Sequence, residues 1–202
     1  VAILWTCTYT SAISFAILFG ALGGISLYEM WKLRKGKSKI VSFSYVIVPF
    51  ILIHFLPYSG TGFSTNPFNQ SIVLLLFVLT WTFDTFAYLV GVKFGKNKIK
   101  PSISPKKSWE GFIGGLLFCV STGLILNHFF NEFFKIGIET IIIFSLILPF
   151  TATLGDFIES HYKRQAEVKD SGNLIPGHGG VLDRMDAFMI TIPVLYIIIN
   201  II

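Results

Sequence analysis

Apolar residues gather into six runs, at about 2–28, 41–58, 71–92, 111–130, 138–159 and 185–202. An α-helix needs roughly 20 such residues to cross about 30 Å of hydrocarbon. The pattern therefore predicts an all-α, polytopic integral membrane protein with about six transmembrane helices in a single domain, 1–202. The second run is short and carries Pro49 and His54, so it is expected to cross with little tilt or to re-enter. No internal repeat or linker interrupts the series. The stretch 59–70, SGTGFSTNPFNQ, has the composition of an irregular loop.

Composition agrees with a membrane class. Hydrophobic residues make up 53% of the chain and charged ones 13%, with a mean hydropathy of +0.70. Soluble domains carry about 25% charged residues. A disordered tail, a collagen-like rod and a disulfide scaffold are excluded, since apolar content is high, glycine has no three-residue period and only Cys7 and Cys119 are present. Both cysteines sit inside apolar runs with no Cys or His at ligand spacing, and read as structural. Residues 1–27 do not read as a signal peptide, because the run is too long and lacks a basic leading region.

The formal net charge of +5 would raise the question of nucleic acid in a soluble protein. Its distribution gives another answer. Fifteen of the sixteen basic residues fall in the loops 31–40, 93–110 and 160–184, and only Lys135 lies in the other two. Positive charge thus alternates loop by loop, as it does when every second loop is cytoplasmic. The expected arrangement is a multi-pass cell-membrane protein with both ends outward, the basic loops and any active site cytoplasmic, and no nucleic-acid partner.

Carboxylates in so apolar a chain are informative. Asp84 lies within the third run, where an ionised group costs at least a few kcal/mol at mid-span. It is expected either to hydrogen-bond a neighbouring helix or to line a polar cavity near the cytoplasmic end. The last basic loop is denser, with Asp156 and Glu159 at the end of the fifth run, Asp170 mid-loop, and Asp183 and Asp186 opening the sixth. Asp156 and Ser160 share a helix face at i, i+4, as do Asp183 and Asp186 at i, i+3. Such an oxygen-only set suits Mg²⁺ rather than zinc. Pro176-Gly177-His178-Gly179-Gly180 reads as a turn whose glycines let backbone N–H groups approach an anion. Carboxylates for a metal, with cations and N–H groups for phosphate oxygens, are the parts of phosphoryl or nucleotidyl transfer. GVKFGKN at 91–97 is not a Walker A loop, having three residues between its glycines and Asn97 where Ser or Thr should stand.

From Ser160 to Asp186 the chain resembles the signature of phosphatidate cytidylyltransferases, also called CDP-diacylglycerol synthases. The resemblance rests on Ser160, Lys163-Arg164, Lys169-Asp170, Pro176, His178-Gly179-Gly180, Asp183-Arg184 and Asp186. Two upstream blocks extend it: Asp84-Thr85-Phe86-Ala87-Tyr88 with Gly91 and Gly95-Lys96, and Ser104-Pro105-Lys106-Lys107-Ser108-Trp109-Glu110-Gly111. Tyr28-Glu29-Met30-Trp31 is a fainter echo. The resemblance covers about residues 80–190 and thins before them; the interval from Glu29 to Asp84 is short for the family.

The resemblance implies transfer of CMP from CTP to phosphatidic acid, giving CDP-diacylglycerol and pyrophosphate, with Mg²⁺ as one cation or two. Asp156, Ser160, Asp183 and Asp186 would form the metal centre, and Lys163, Arg164 and Arg184 would bind phosphates beside the catalytic Asp183 and Asp186. Ser104, Lys106 and Lys107, with Lys169, His178, Gly179, Gly180 and Asp84, would complete substrate binding. The attacking phosphate, with a second pKa of roughly 6, is already ionised, so neither His161 nor His178 is needed as a base. A homodimer is compatible with so small a bundle. Rival readings are a CTP-dependent transferase acting on a related lipid phosphate, and a lipid or ion transporter with Asp84 lining its path. A CDP-alcohol phosphotransferase is disfavoured, because its spaced acidic motifs are absent.

Overall fold

The computed structural model describes residues 2–36, 38–58, 68–134, 136–174 and 179–201. Seven helices and one hairpin occur among them: α1 (Ala2–Thr10), α2 (Ala12–Leu33), α3 (Lys39–Phe55), α4 (Ser71–Phe94), β1 (Lys98–Lys100), β2 (Ser104–Ser108), α5 (Trp109–Phe134), α6 (Ile138–Gln165) and α7 (Leu182–Ile201). Six helical segments, beginning with α2, are long and apolar enough to cross a membrane. The protein is thus an all-α, multi-pass membrane protein, as the six runs predict.

Three differences from the expected elements have local causes. The first run is two helices, because Ser11 takes an extended conformation and its hydroxyl accepts the N–H of Ser14 at 3.1 Å, an N-cap that starts α2 afresh. The second run, for which re-entry was one option, is a continuous helix through Pro49 that ends in a 3₁₀ turn at Leu56–Tyr58. His54 is spent on its own helix, with Nδ1 2.6 Å from the carbonyl of Phe50. The loop 93–110 contains the antiparallel β1–β2 hairpin, which no alternation of apolar residues announces.

α6 continues to Gln165, beyond the apolar run. It closes with Glu167 at φ +58°, the N–H of Glu167 reaching the carbonyl of Arg164 and that of Val168 the carbonyl of Lys163. This is a Schellman closure with glutamate where glycine is usual. The extra turns place Ser160 to Arg164 on a rigid element.

α4 packs most closely on α5, and α6 on α7. Glycines make the α4–α5 approach close. A Cβ on Gly114 would lie 2.6 Å from Val90, and one on Gly115 2.7 Å from the ring of Phe83. Helices in lipid gain their cohesion from such close packing, because hydrocarbon offers little hydrophobic drive between them. Phe19, Phe77, Phe144 and Met30 fill the interior, with the rings of Phe19 and Phe77 stacked at 6.1 Å. Cys119 is buried against the carbonyl of Leu79, a structural role as expected.

Candidate functional site

The first half of the site is built from α4, the hairpin and the start of α5. Glu110, in the first turn of α5, accepts the N–H groups of Lys96 and Asn97 and the Asn97 amide, at 2.7 to 3.2 Å. These bonds fasten the connection between α4 and the hairpin to the start of α5. The Ser108 hydroxyl accepts the N–H of Gly111 at 3.2 Å and packs over Gly91 and Gly95. A Cβ on Gly95 would stand 2.5 Å from its oxygen and one on Gly91 3.3 Å, so the Gly91–Gly95 spacing seats the hairpin. Between these elements opens a cavity of about 620 Å³, lined among others by Asp84, Tyr88, Ser104, Lys106, Lys107 and Thr153. Asp84 is accessible from it. Asp84 therefore lines a cavity, and no hydrogen bond from it to a neighbouring helix is seen among the described residues.

The second half is formed by the end of α6, the turn before α7 and the first turn of α7. Lys163 lies between two carboxylates, 2.5 Å from Glu159 Oε2 and 2.7 Å from Asp183 Oδ1. Asp183 Oδ2 accepts three more bonds, from the N–H of Ser171 at 2.8 Å, the Ser171 hydroxyl at 2.9 Å and the N–H of Gly180 at 2.8 Å. Val181 supplies the first helical carbonyl of α7 but has no capping side chain. Its own N–H and that of Leu182 are met instead by Glu29 of α2, at 3.1 and 2.8 Å. The Gly179–Gly180 turn therefore does bring backbone N–H groups to anions, and those anions are the chain's own carboxylates. Gly179 has φ +81°, and a Cβ there would stand 2.7 Å from Asp183 Oδ2.

One ion pair joins the halves. Lys107, on the cavity wall, lies 2.7 Å from Asp156 Oδ2 of α6, with its ammonium also 5.3 Å from the Phe157 ring. The carboxyls of Asp156 and Asp186 lie close enough to interact electrostatically. They can approach because Gly155 lets α7 run directly over it, where any Cβ would strike the Asp186 carbonyl. The Tyr45 hydroxyl donates to the Gly155 carbonyl at 2.8 Å, which draws α3 to the same point.

Most of the residues expected at the site fall into these two groups. Asp84, Ser104, Lys106 and Lys107 share the cavity; Asp156, Lys163, Asp183 and Asp186 lie on the facing ends of α6 and α7. Ser160 is buried one turn beyond Asp156. Arg164, Lys169 and Arg184 are exposed at the rim. His178 and Pro176 lie outside the described residues. Glu29, Glu159 and Glu110, noted in the sequence without a site role, and Ser171, not singled out there, organise the site. For Glu159 the available signal was an acid four residues before Lys163; for Glu29 it was a carboxylate ending an apolar run.

Among the described residues no group of three or more His, Cys, Asp or Glu side chains forms a ready metal cage. The donor chemistry nevertheless fits a hard cation: Asp156 and Asp186 offer carboxyl oxygens near one another, and the Lys107 ammonium 2.7 Å from Asp156 Oδ2 already places positive charge there. Two carboxylates so placed repel unless a proton or a cation stands between them.

The profile of the Cytidylyltransferase family matches residues 1–202. The chain is 40% identical over 161 residues to the phosphatidate cytidylyltransferase of Staphylococcus saprophyticus, 78% of this chain and 61% of that protein. To the phosphatidate cytidylyltransferase of Rickettsia bellii it is 41% identical over 166 residues, 78% of this chain and 70% of that protein. The Staphylococcus haemolyticus enzyme of the same name gives 39% over 161 residues. The chain thus spans about three fifths of the length of the staphylococcal relatives, 61% in each case.

Proposed function

Because the chain belongs to the cytidylyltransferase family, we propose that it transfers CMP from CTP to phosphatidic acid, releasing pyrophosphate and forming CDP-diacylglycerol. The observation that carries this reading is the Lys107–Asp156 bridge of 2.7 Å. It brings a cation-lined cavity and an oxygen-donor pair into one site, at the end of the bundle where a lipid headgroup and a water-soluble nucleotide can meet. Lys106, Lys107 and Ser104 bind phosphate oxygens within the cavity, and Arg164, Arg184 and Lys169 gather the outer phosphates of CTP at its rim.

Asp156 and Asp186 would hold Mg²⁺, with Ser160 as a further oxygen donor on α6; Asp183, whose oxygens are taken by Lys163, Ser171 and Gly180, would join them by giving up one of those bonds. When bound, Mg²⁺ supplies positive charge to the phosphoryl oxygens and the departing pyrophosphate. A phosphate oxygen of phosphatidic acid attacks the α-phosphorus of CTP; the new P–O bond forms as the bond from the α-phosphorus to the bridging oxygen breaks, and that oxygen leaves with pyrophosphate. The attacking phosphate is ionised at neutral pH, so no side chain need remove a proton. The work of the chain is to hold two mutually repelling anions in line. Lys163, fixed by Glu159 and Asp183, presents its charge from a set position rather than from a mobile stem. The basic loops would face the cytoplasm, where CTP is found.

The test is transfer of label from α-phosphate-labelled CTP by purified protein in detergent, across a panel of lipid phosphates. Labelled lipid is expected with phosphatidic acid and Mg²⁺, and none in excess chelator. Equal turnover in chelator overturns the metal assignment, and preference for an isoprenoid phosphate overturns the substrate.

A further inference from the structure

Glu29 is far in sequence from the residues that carry the expected chemistry, and it is among the most enclosed charges in the molecule, 4% exposed near the C-terminus of α2. Its two oxygens accept three hydrogen bonds from the turn that precedes α7: Val181 N–H on Oε1, Leu182 N–H and the Ser171 hydroxyl on Oε2, at 3.1, 2.8 and 3.0 Å. The backbone has been cleared for it on both sides. A Cβ on Gly172 would lie 2.5 Å from Oε1, and one on Gly180 2.6 Å from either oxygen. A carboxylate at a helix N-terminus is favoured by the unpaired N–H groups and the dipole together.

Ser171 continues the chain of contacts. Its hydroxyl lies 3.0 Å from Glu29 Oε2 and 2.9 Å from Asp183 Oδ2, so it stands between the two carboxylates. Asp183 in turn holds Lys163 at 2.7 Å. With one hydroxyl proton shared between the two carboxylates, Ser171 links α2, through the turn, to the Asp183 that holds the Lys163 ammonium.

We infer that Glu29 is a positioning residue: acting through Ser171 and the amides of Val181 and Leu182, it sets where Asp183 and Lys163 stand. This rests on the cytidylyl-transfer reading for its kinetic consequence, but not for its structural one. In Glu29→Gln the side chain keeps its volume, while an NH₂ group replaces one of the two acceptors, leaving amide or hydroxyl donors facing a donor. Ser171→Ala removes the bridge alone and serves where the first variant folds poorly. Glu139→Gln, exposed at the start of α6, is the neutral control.

Two readouts separate the possibilities. In the transfer assay Glu29→Gln is expected to lower kcat about tenfold or more with KM for both substrates within about twofold, because Lys163 and Asp183 act on charge that develops in the transition state. Ser171→Ala moves in the same direction by less. Independently of turnover, labelling of Lys163 by an amine-reactive reagent, read by mass spectrometry, is expected to accelerate several-fold in both variants while exposed Lys93 labels at its usual rate. Unchanged Lys163 labelling in either folded variant overturns the inference, as does a rise in KM with kcat intact. Faster Lys163 labelling in a protein that never transfers CMP upholds the positioning role and overturns the transfer reading instead.

Discussion

The two halves of the site are held by different means. Between α4, the hairpin and α5 the fixed points are glycines and one capping carboxylate, and the result is an open cavity of about 620 Å³ with its lysines and Asp84 facing inward. Between α6 and α7 the fixed points are charges: Lys163 is clasped by Glu159 and Asp183, and the first amides of α7 are taken up by Asp183 and Glu29. The first half is shaped to receive something; the second is already full of its own ionic bonds. Asp156 and Asp186, where the halves meet, are less fully engaged: Asp156 Oδ2 meets Lys107 at 2.7 Å and Asp186 Oδ1 accepts the N–H of Ala187 at 2.7 Å. One sequence motif can thus contain residues that meet a ligand and residues that merely hold those in place, and their contacts separate the two kinds.

The largest expected effect lies at the meeting point. Asp186→Asn should lower turnover at least about 100-fold, equivalent to about 2.7 kcal/mol of transition-state stabilisation, with membrane insertion unaltered. Turnover within a few-fold of normal would remove Asp186 from the chemistry. A smaller effect separates glycines that shape the receiving half from those that do not. Gly115→Val should lose about 1–3 kcal/mol of stability through overpacking, because its Cβ would meet the Phe83 ring at 2.7 Å and the Ala87 methyl at 2.9 Å. Gly20→Val, with nothing within 4 Å, should stay within about 0.5 kcal/mol. Thermal unfolding in detergent measures both, and equal shifts would mean that the α4–α5 approach is not what the glycines secure.

Hydropathy made the six spans legible, since a bilayer demands long apolar runs whatever the fold. It did not reveal the break at Ser11, where the flanking residues remain apolar enough to hide a cap. Nor did it reveal the six polar residues 160–165 that extend α6, because they lie outside the membrane pattern. In the site, the motif residues were readable by type and spacing. Their pairings were not. Ser171 and Glu29 are 142 residues apart, and nothing local to either signals the bond. The Gly179–Gly180 turn was readable as a place where N–H groups meet an anion, while the identity of that anion, Asp183 together with Glu29, depends on how α2 packs against the start of α7.

The account stands or falls on whether the two halves are one site. The direct measurement is a double-mutant cycle on cytidylyl transfer with Lys107→Met, Asp156→Asn and the pair. A single site held together by the 2.7 Å bridge predicts strong non-additivity, the double variant losing little more than the worse single one. Losses that simply multiply would mean that the cavity and the carboxylate cluster act independently, and would contradict it.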